Sequence, residues 1–271
     1  MKYFRTFLAL AGLIAVCPSS VRAGEWRQAG ETQCTADHFR SDGLTTYAEA
    51  REQRLPNGSI NYINSDQNGS IHVHGWDNAD VRVRACIYAT APSDSEARAL
   101  ASQVTITRSS GMIEPSGPTT QDRSSWAVSY EVWVPKASNV DLKANNGSIS
   151  VDTVHGQIRF HTQNGSVRLN SVAGDVNGST TNGSLRIDVD PSQWRGNGLR
   201  AETTNGSVHL NLPDGVSAQV QASTVNGKVS IDFPVTVSGE IGKTMSFQLG
   251  GGGPLIEART VNGSVHIGRR S

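Results

Sequence analysis

The chain has 271 residues with 24 basic and 24 acidic side chains, so its formal net charge is zero. This balance excludes a strong global field for nucleic acid or for an anionic membrane. Glycine is abundant, aromatic residues are few, and Val, Ser, Thr and Asn dominate, a composition that indicates a β-strand protein.

The first 23 residues have the pattern of a secretion signal. Lys2 and Arg5 form a basic start, residues 7–16 an apolar run, and residues 21–23 a small-residue cleavage site. The apolar run is about half as long as a membrane-spanning helix requires, and no later segment approaches that length. We therefore expect cleavage after Ala23 and an exported soluble protein, either periplasmic or at the cell surface.

Three cysteines bear on the compartment. Lipid anchoring through Cys17 is disfavoured, because Val16 stands where a lipoprotein signal needs a small residue. Cys34 and Cys86 remain after the signal, and an isolated pair in an oxidising compartment most often forms a structural disulfide. The pair lacks the close spacing and the helper residue of a metal or redox site. We predict one disulfide that ties the N-terminal extension to a strand.

The chain after the signal divides into three parts by composition. Residues 24–56 form a polar N-terminal extension without a clear period, and we expect it to be irregular. Residues 57–137 form an N-terminal β part with one helix, and residues 138–271 a β-repeat part. We expect residues 57–271 to be one elongated domain.

The N-terminal β part contains several short runs with β character. Alternating apolar and polar residues, clear in the second and third runs, are typical of half-buried strands. The predicted strands are Ser59–Ile63, Ser70–His74, Val81–Ile87, Val104–Thr107 and Trp126–Val134. A Gly/Pro/Ser-rich loop is expected over residues 109–125.

One short helix is predicted between the third and fourth of these strands. Ser93 can cap its N-terminus, and Glu96 three residues later completes a capping box. Its apolar face is formed by Ala97, Leu100, Ala101 and Val104. We expect this helix to cover the sheet.

The dominant feature is a repeat of Asn-Gly-Ser followed by an aliphatic residue. Its copies begin at Asn57, Asn68, Asn146, Asn164, Asn182, Asn205 and Asn262, with Asn226-Gly227-Lys228-Val229 as a variant. Between Gly147 and Gly183 a glycine falls every nine residues. The second and fourth residues after each glycine are mostly aliphatic and the third is mostly polar, so the aliphatic columns are predicted to point inward.

Two architectures can use this repeat. In a β-solenoid each Asn-Gly is a corner, and equivalent strands stack so that their aliphatic columns form one core. In an antiparallel meander or sandwich each Asn-Gly is a two-residue hairpin turn. Asn-Gly suits either role because both residues tolerate positive backbone angles. The columns persist through loops of unequal length, which favours the all-β solenoid with Asn-Gly corners.

The repeats resemble one known family. Thr-Val-Asn-Gly-x-Val at Thr224 and Thr260, the Asn-Gly-Ser-Ile series, the glycine-rich segment 249–254 and the Val134-Pro135 step are similar to the bacterial putative-adhesin family of β-strand-repeat proteins. The resemblance covers roughly residues 57–271. It implies a β-helix-like fold and an envelope or extracellular location, and it transfers no catalytic residues.

His72 and His74 are a candidate metal pair. They lie two residues apart on one face of a predicted strand, but a metal site needs a third or fourth ligand. Asp77 and Asp80 are the only acids near them in sequence. We interpret the histidines as solvated surface residues and predict no metal site and no cofactor.

Arg159, Arg168 and Arg186 share the outward-facing column of the repeat. Stacked strands lie about 4.8 Å apart, so these arginines are predicted to form a basic strip. The planar guanidinium groups suit phosphate or carboxylate partners, such as an anionic glycan, a teichoic acid or a lipopolysaccharide phosphate. The alternative is an ordinary solvated strand face.

No arrangement for catalysis stands out. Serines lie in turns without a nucleophile elbow, and the acids Asp152, Asp188 and Asp232, five places after glycine, form no convincing cluster. The Asn-Gly-Ser triplets also fit the N-glycosylation pattern, but turn chemistry explains them better.

The sequence therefore predicts a non-enzymatic, exported β-repeat scaffold of the cell envelope whose partner is an envelope component or surface glycan. The alternatives are a polysaccharide lyase or hydrolase on a β-helix, and an accessory domain of an envelope-stress system.

Overall fold

The computed structural model describes residues 26–29, 34, 43–120, 123–191, 194, 196–238, 240 and 243–270. The predicted secretion signal and Cys17 lie outside these residues. The elements in chain order are β1 (Arg27–Ala29), β2 (Thr45–Pro56), β3 (Tyr62–Asn64), β4 (Ile71–Trp76), β5 (Asp80–Ala91), α1 (Asp94–Gln103), β6 (Thr105–Ser109), β7 (Met112–Ser116), β8 (Ser125–Pro135), β9 (Val140–Asn146), β10 (Ile149–Asp152), β11 (Ile158–Asn164), β12 (Val167–Val172), β13 (Val176–Asn182), β14 (Leu185–Val189), β15 (Gly198–Asn205), β16 (Val208–Pro213), β17 (Ala218–Asn226), β18 (Val229–Ile231), β19 (Thr244–Leu249), β20 (Leu255–Asn262) and β21 (Val265–Arg270).

The strands form two large sheets. Sheet A has the order β1-β2-β5-β8-β4-β10-β12-β14-β16-β21-β18, and sheet B has the order β19-β17-β20-β15-β13-β11-β9-β3-β7-β6. Most neighbours in the repeat region pair in parallel. Within the described residues, no helix has the length and apolar character to cross a membrane.

Each coil of the repeat contains one strand from each sheet and two corners. From β9 the chain turns at Asn146-Gly147-Ser148 into β10, turns again over residues 153–157, and enters β11. β11 pairs in parallel with β9, and Asn164 lies beside Asn146, 18 residues earlier. The nine-residue glycine period is therefore half a coil, and the predicted β-solenoid fold is confirmed.

The core of the solenoid is built from the predicted aliphatic columns. Ile149, Val151, Ile158 and Leu169 are all nearly inaccessible to solvent and belong to one hydrophobic cluster that takes residues from both sheets. Side chains alternate along each strand, so the residues between these columns face outward.

The corner glycines are required by close stacking. A Cβ atom on Gly165 would lie 2.0 Å from the carbonyl oxygen of Gly147, and one on Gly147 would lie 1.9 Å from that of Gly69. The expectation that Asn-Gly supplies positive backbone angles is wrong for most corners, because no asparagine of the motif and neither Gly147 nor Gly165 has a positive φ.

The corner asparagines form a hydrogen-bonded ladder along one edge of the solenoid. The side-chain amide of Asn164 donates to Asn146 at 2.7 Å, and the amide of Asn182 donates to Asn164 at 2.7 Å. The complete spatial order is Asn68, Asn146, Asn164, Asn182, Asn205, Asn262 and Asn226. Asparagine at the corner therefore joins successive coils through its side chain.

Two of the Asn-Gly-Ser triplets are not corners. Asn57-Gly58-Ser59 forms a turn after β2, where the amide of Ser59 donates to the carbonyl of Pro56 at 3.2 Å. Asn177-Gly178-Ser179 lies inside β13. The motif alone therefore does not identify a corner. At five of the seven corners a threonine stands two residues before the asparagine, whereas the corners at Asn68 and Asn146 lack it.

That threonine satisfies the carbonyl of the corner glycine in the neighbouring coil. Thr180 Oγ1 donates to the Gly165 oxygen at 2.9 Å, and Thr162 Oγ1 donates to the Gly147 oxygen at 2.9 Å. The same bond recurs at Thr203, Thr224 and Thr260. These five buried hydroxyls explain the Thr-x-Asn-Gly pattern, since a buried carbonyl needs a donor.

Replacing Thr180 by valine is expected to destabilise the fold by about 1–2 kcal/mol, because the half-buried Gly165 carbonyl loses its side-chain donor. Thermal denaturation followed by circular dichroism measures the loss. Thr181→Val, at the adjacent position outside the buried row, is the control and is expected to stay within about 0.5 kcal/mol of the parent. Equal melting temperatures for the two variants would contradict the role of the hydroxyl.

The N-terminal part differs from its prediction in two places. Residues 45–56 were expected to be irregular, but they form the 12-residue strand β2. Its charged residues pair across to the neighbouring strands, as in the contact of Glu52 with Arg82 at 2.7 Å, so β2 lacks a simple alternation. The expected loop 109–125 contains β7, which pairs with β6 as a hairpin.

The helix and the disulfide agree with the sequence. Ser93 caps α1 with a capping box through Glu96, and Ala97, Leu100 and Ala101 are its buried residues. Cys34 and Cys86 are joined by a disulfide with their Cα atoms 5.6 Å apart.

The C-terminal coil is out of chain order. β20 lies between β15 and β17 in sheet B, and β21 lies between β16 and β18 in sheet A. The last coil is therefore inserted between two earlier ones. β19 then pairs antiparallel with the free edge of β17 and covers it.

Candidate binding face

Two rows of outward side chains cross sheet A. The first row is Glu131, His72, Ser150, Arg168, Arg186, His209, His266 and Ser230. The second row is Trp133, His74, Asp152, Asn170, Asp188 and Asn211. We call the middle of this surface, from Ser150 to His209, the sheet A face.

The predicted strip of three arginines is divided between two faces. Arg168 and Arg186 are direct neighbours on β12 and β14 in sheet A. Arg159 lies on β11 in sheet B, between Asp141 and Asn177. Residues at the same distance from successive glycines were expected to lie on one face. Successive glycines are half a coil apart, however, so the strands that follow them belong to opposite sheets. The single three-arginine strip is therefore wrong, and a pair remains.

The arginine pair is available to a ligand. Arg168 is exposed, and it has no ion-pair partner within the part of the chain that the structure describes. Arg186 lies 3.4 Å from Asp188, with about half of its side chain exposed. Burial, His266 and Arg186 together lower the pKa of the neighbouring His209. Within the described residues, the sheet A face thus carries one exposed, unpaired guanidinium group at Arg168 and a second at Arg186, whose charge Asp188 partly offsets, beside a histidine whose pKa is lowered.

The outer face of sheet B has a different charge pattern. Arg200 lies 2.8 Å from Glu202 and 3.7 Å from Glu257, which neutralise it. Arg159 follows Asp141 in the same outward row. Alternating charges of this kind attract no polymer of a single sign.

A second group of polar side chains lies at the start of the parallel part of sheet A. We call His72, His74 and Asp152 the histidine cluster. His72 Nε2 lies 2.7 Å from Asp152 Oδ2, and His74 Nδ1 lies 3.9 Å from the same oxygen. The two imidazole rings are 3.9 Å apart between centroids. One ligand atom from each residue falls within 4.8 Å of the others.

Neighbouring side chains hold this cluster in place. His74 Nε2 is buried and makes no aligned hydrogen bond, although Glu131 Oε1 is only 3.3 Å away. Trp133 stacks on the His74 ring at 5.4 Å between centroids. Asn170 Nδ2 donates to Asp152 Oδ1 at 3.3 Å, which leaves Oδ2 facing the histidines.

The charges around the cluster are balanced. Arg84 bridges Glu131 at 2.5 Å and Glu52 at 2.7 Å. Burial raises the pKa of Glu52, but its bonds to Arg82 and Arg84 outweigh that effect and lower it. Burial and the neighbouring His72 lower the pKa of His74, and Glu131 and Asp152 oppose them.

The third member of this cluster was missed from the sequence. The acids nearest in sequence are committed elsewhere, since Asp77 pairs with Lys136 at 2.7 Å and Asp80 with Arg54 at 3.3 Å. Asp152 comes from a strand 80 residues away from His72. A signal was present, because His74 and Asp152 both stand five places after a corner glycine and are therefore neighbours in a parallel stack.

Comparison with known proteins identifies the repeat domain. The family model described as Toastrack DUF4097 matches residues 54–267. No curated protein matches the chain.

Several solved structures are similar over most of the chain. A putative cell adhesion protein from Clostridium sporogenes is 13% identical, covers 83% of this chain and 100% of its own, and has a TM-score of 0.46. A putative adhesin from Bacteroides fragilis is 12% identical, with coverages of 85% and 98% and a TM-score of 0.36. A putative lipid binding protein from Parabacteroides distasonis is 10% identical, with coverages of 82% and 97% and a TM-score of 0.30. At these identities and scores the likenesses carry no information on function.

Proposed function

The chain belongs to the Toastrack DUF4097 family, and from that premise we propose that it is an exported, non-enzymatic scaffold of the cell envelope. In this proposal the sheet A face binds an anionic envelope polymer, such as a lipopolysaccharide phosphate or a teichoic acid. The observation that carries the proposal is the exposed pair of Arg168 and Arg186 on directly paired strands.

The geometry of the pair suits a phosphate-bearing polymer. Arg168 and Arg186 are direct partners on parallel strands, which lie about 4.8 Å apart, and each guanidinium group can bind phosphate through two parallel hydrogen bonds. The strands are held by backbone ladders and a buried core beneath them, so the face is ordered before a ligand arrives. Such preorganisation reduces the entropic cost of binding.

Two features support export. The basic start, apolar run and cleavage pattern of residues 1–23 are those of a secretion signal. The disulfide between Cys34 and Cys86 is of a kind that persists in oxidising compartments. We propose that the mature chain begins at Gly24.

Replacing both Arg168 and Arg186 by serine is expected to lower the amount of protein bound to immobilised lipopolysaccharide or teichoic acid about tenfold, because two charge-assisted contacts are lost. Arg159→Ser is the matched control, since it removes one exposed arginine from the opposite sheet, and it is expected to bind like the parent. Raising the salt concentration should release the parent protein. Co-sedimentation with each polymer measures binding.

Unchanged binding in the double variant, or equal loss in Arg159→Ser, would contradict a role for the sheet A face. The protein for this experiment is recovered from the exported fraction of expressing cells. Sequencing its amino terminus, expected at Gly24, checks the export part of the proposal.

The hydrolase alternative requires two carboxylates that converge on one cleft. Four clefts along the described surface have volumes of about 350–510 Å³, and each is lined by one carboxylate, namely Asp66, Asp214 or Asp175. This geometry supports binding over hydrolysis as the proposed activity. Release of reducing sugars from an envelope polysaccharide would overturn it.

A further inference from the structure

We propose that the histidine cluster binds one divalent transition-metal ion, with Zn²⁺ as the physiological candidate. The ligands are His72 Nε2, His74 Nδ1 and Asp152 Oδ2. Two imidazoles and one carboxylate are the donors that Zn²⁺, Cu²⁺ and Ni²⁺ prefer, whereas Mg²⁺ and Ca²⁺ prefer oxygen donors alone. The proposal is independent of the arginine pair and of the envelope ligand.

The distances between the donor atoms fit a tetrahedral ion. Bonds of about 2.0–2.1 Å place two tetrahedral ligands about 3.3 Å apart. The two measured separations from Asp152 Oδ2, 2.7 Å to His72 and 3.9 Å to His74, lie on either side of that value. One ligand atom from each residue already lies within 4.8 Å of the others, so the change required for bonding is of the size that side-chain rotation supplies.

The backbone of the cluster is rigid. His72 and His74 project from the same face of β4, which lies between β8 and β10 inside sheet A. Asp152 is the direct partner of His74 in the parallel register of β4 and β10. Ligands on central strands are held more accurately than ligands on loops.

The surrounding hydrogen bonds match those of metal-binding histidines. A ligating histidine usually donates its other ring nitrogen to a carboxylate, which orients the ring and raises its basicity. When His74 binds through Nδ1, its buried Nε2 faces Glu131 Oε1 at 3.3 Å and can donate to it. Arg84 holds the other Glu131 oxygen, and Asn170 holds Asp152 Oδ1. In this arrangement the buried Nε2 has a carboxylate acceptor.

The cluster is open on its outer side. The side chains of His72, His74 and Asp152 are 43%, 27% and 30% exposed, so an ion can enter from solvent and keep a water as its fourth ligand. Three protein ligands with one open position is a common zinc arrangement. The nearby acids Asp152, Glu131 and Glu52 outnumber the nearby cations Arg82 and Arg84, so the local charge does not repel a cation.

The test is isothermal titration of ZnCl₂ into the full exported protein, made without a histidine tag and freed of metal with a chelator. One equivalent is expected to bind to the parent at neutral pH. His72→Ala and Asp152→Asn, which alter half-buried groups at the surface of the sheet, are each expected to weaken binding by at least about 100-fold. Glu131→Gln removes only the partner of His74, and is expected to weaken binding about 10- to 100-fold.

The controls are His209→Ala and His161→Ala, which remove exposed histidines outside the cluster and are expected to bind Zn²⁺ like the parent. Circular dichroism and melting curves confirm that each variant is folded. The absorption spectrum of the Co²⁺-loaded parent is expected to show four-coordinate geometry that both ligand variants lose. Substoichiometric Zn²⁺ binding by the parent, or unchanged affinity in His72→Ala and Asp152→Asn, would overturn the proposal.

Discussion

Replacing Gly165 by alanine is expected to lower the free energy of unfolding by at least about 3 kcal/mol, although the change adds a single methyl group. The new Cβ would lie 2.0 Å from the carbonyl oxygen and 2.5 Å from the carbonyl carbon of Gly147 in the neighbouring coil. Both contacts are to backbone, so no side chain can rotate away. Relief requires the two coils to separate, which also weakens the bonds of Asn164 and Thr180 across the same corner.

Melting temperature is the suitable measurement, because a stack of repeats need not unfold in one step. A loss of about 3 kcal/mol corresponds to a decrease of about 6–12 °C for a domain of this size. Gly251→Ala is the matched control, since a Cβ there meets no atom within 4 Å and the residue has no positive φ. It is expected to change stability by less than about 1 kcal/mol. Similar melting temperatures for the two variants would show that the corners tolerate wider spacing.

Much of the repeat could be predicted from the sequence, because the spacing of its aliphatic residues matches the alternation of side chains along a strand. Inward and outward columns follow from side-chain alternation, and Ile149 and Val151 are buried as that alternation requires. The physical reason for Asn-Gly at the corners could not be predicted. Asparagine and glycine at a corner fit a turn, a ladder and a close backbone approach equally well, and only the stacking of Gly165 on Gly147 distinguishes them.

The order of the coils could not be predicted, because identical columns are compatible with every order. Asn205 pairs with Asn262 in the structure, whereas chain order would have placed Asn226 there. The strand β2 was missed for a different reason. Its partners β1 and β5 are antiparallel and its outward charges form ion pairs, so its sequence shows neither the repeat nor a clear alternation.

The candidate sites could also be predicted only in part from the sequence. Whether two residues share a surface depends on which sheet each strand joins, and the nine-residue period hides that choice. Arg168 and Arg186, 18 residues apart, are neighbours, while Arg159, nine residues before Arg168, faces the other way. The same rule would have predicted the histidine cluster, because Asp152 occupies the same column as His74 in the next coil of the stack.

Replacing Phe160 by alanine is expected to cost about 3–5 kcal/mol, the largest effect of any single truncation in the repeat. Phe160 is 3% exposed and is the one aromatic residue in its inward row of sheet B. That row reads Leu142, Phe160, Gly178, Ala201, Ala258 and Ala222 from coil to coil. The small residues after it leave room for the ring, so its removal opens a cavity that they cannot fill.

Gly178 accommodates that ring directly, which makes the pair testable by a double-mutant cycle. A Cβ on Gly178 would lie 2.5 Å from Phe160 Cγ and 2.3 Å from the Phe160 carbonyl oxygen. Gly178→Ala is therefore expected to destabilise the parent strongly, and to cost about 1–2 kcal/mol less in the Phe160→Ala background, where the ring contact is gone. The cost that remains measures the carbonyl contact, which no side-chain change removes. Equal costs in both backgrounds would mean that glycine is required at this position by the backbone alone, and that the ring merely occupies space the stacked strands already leave.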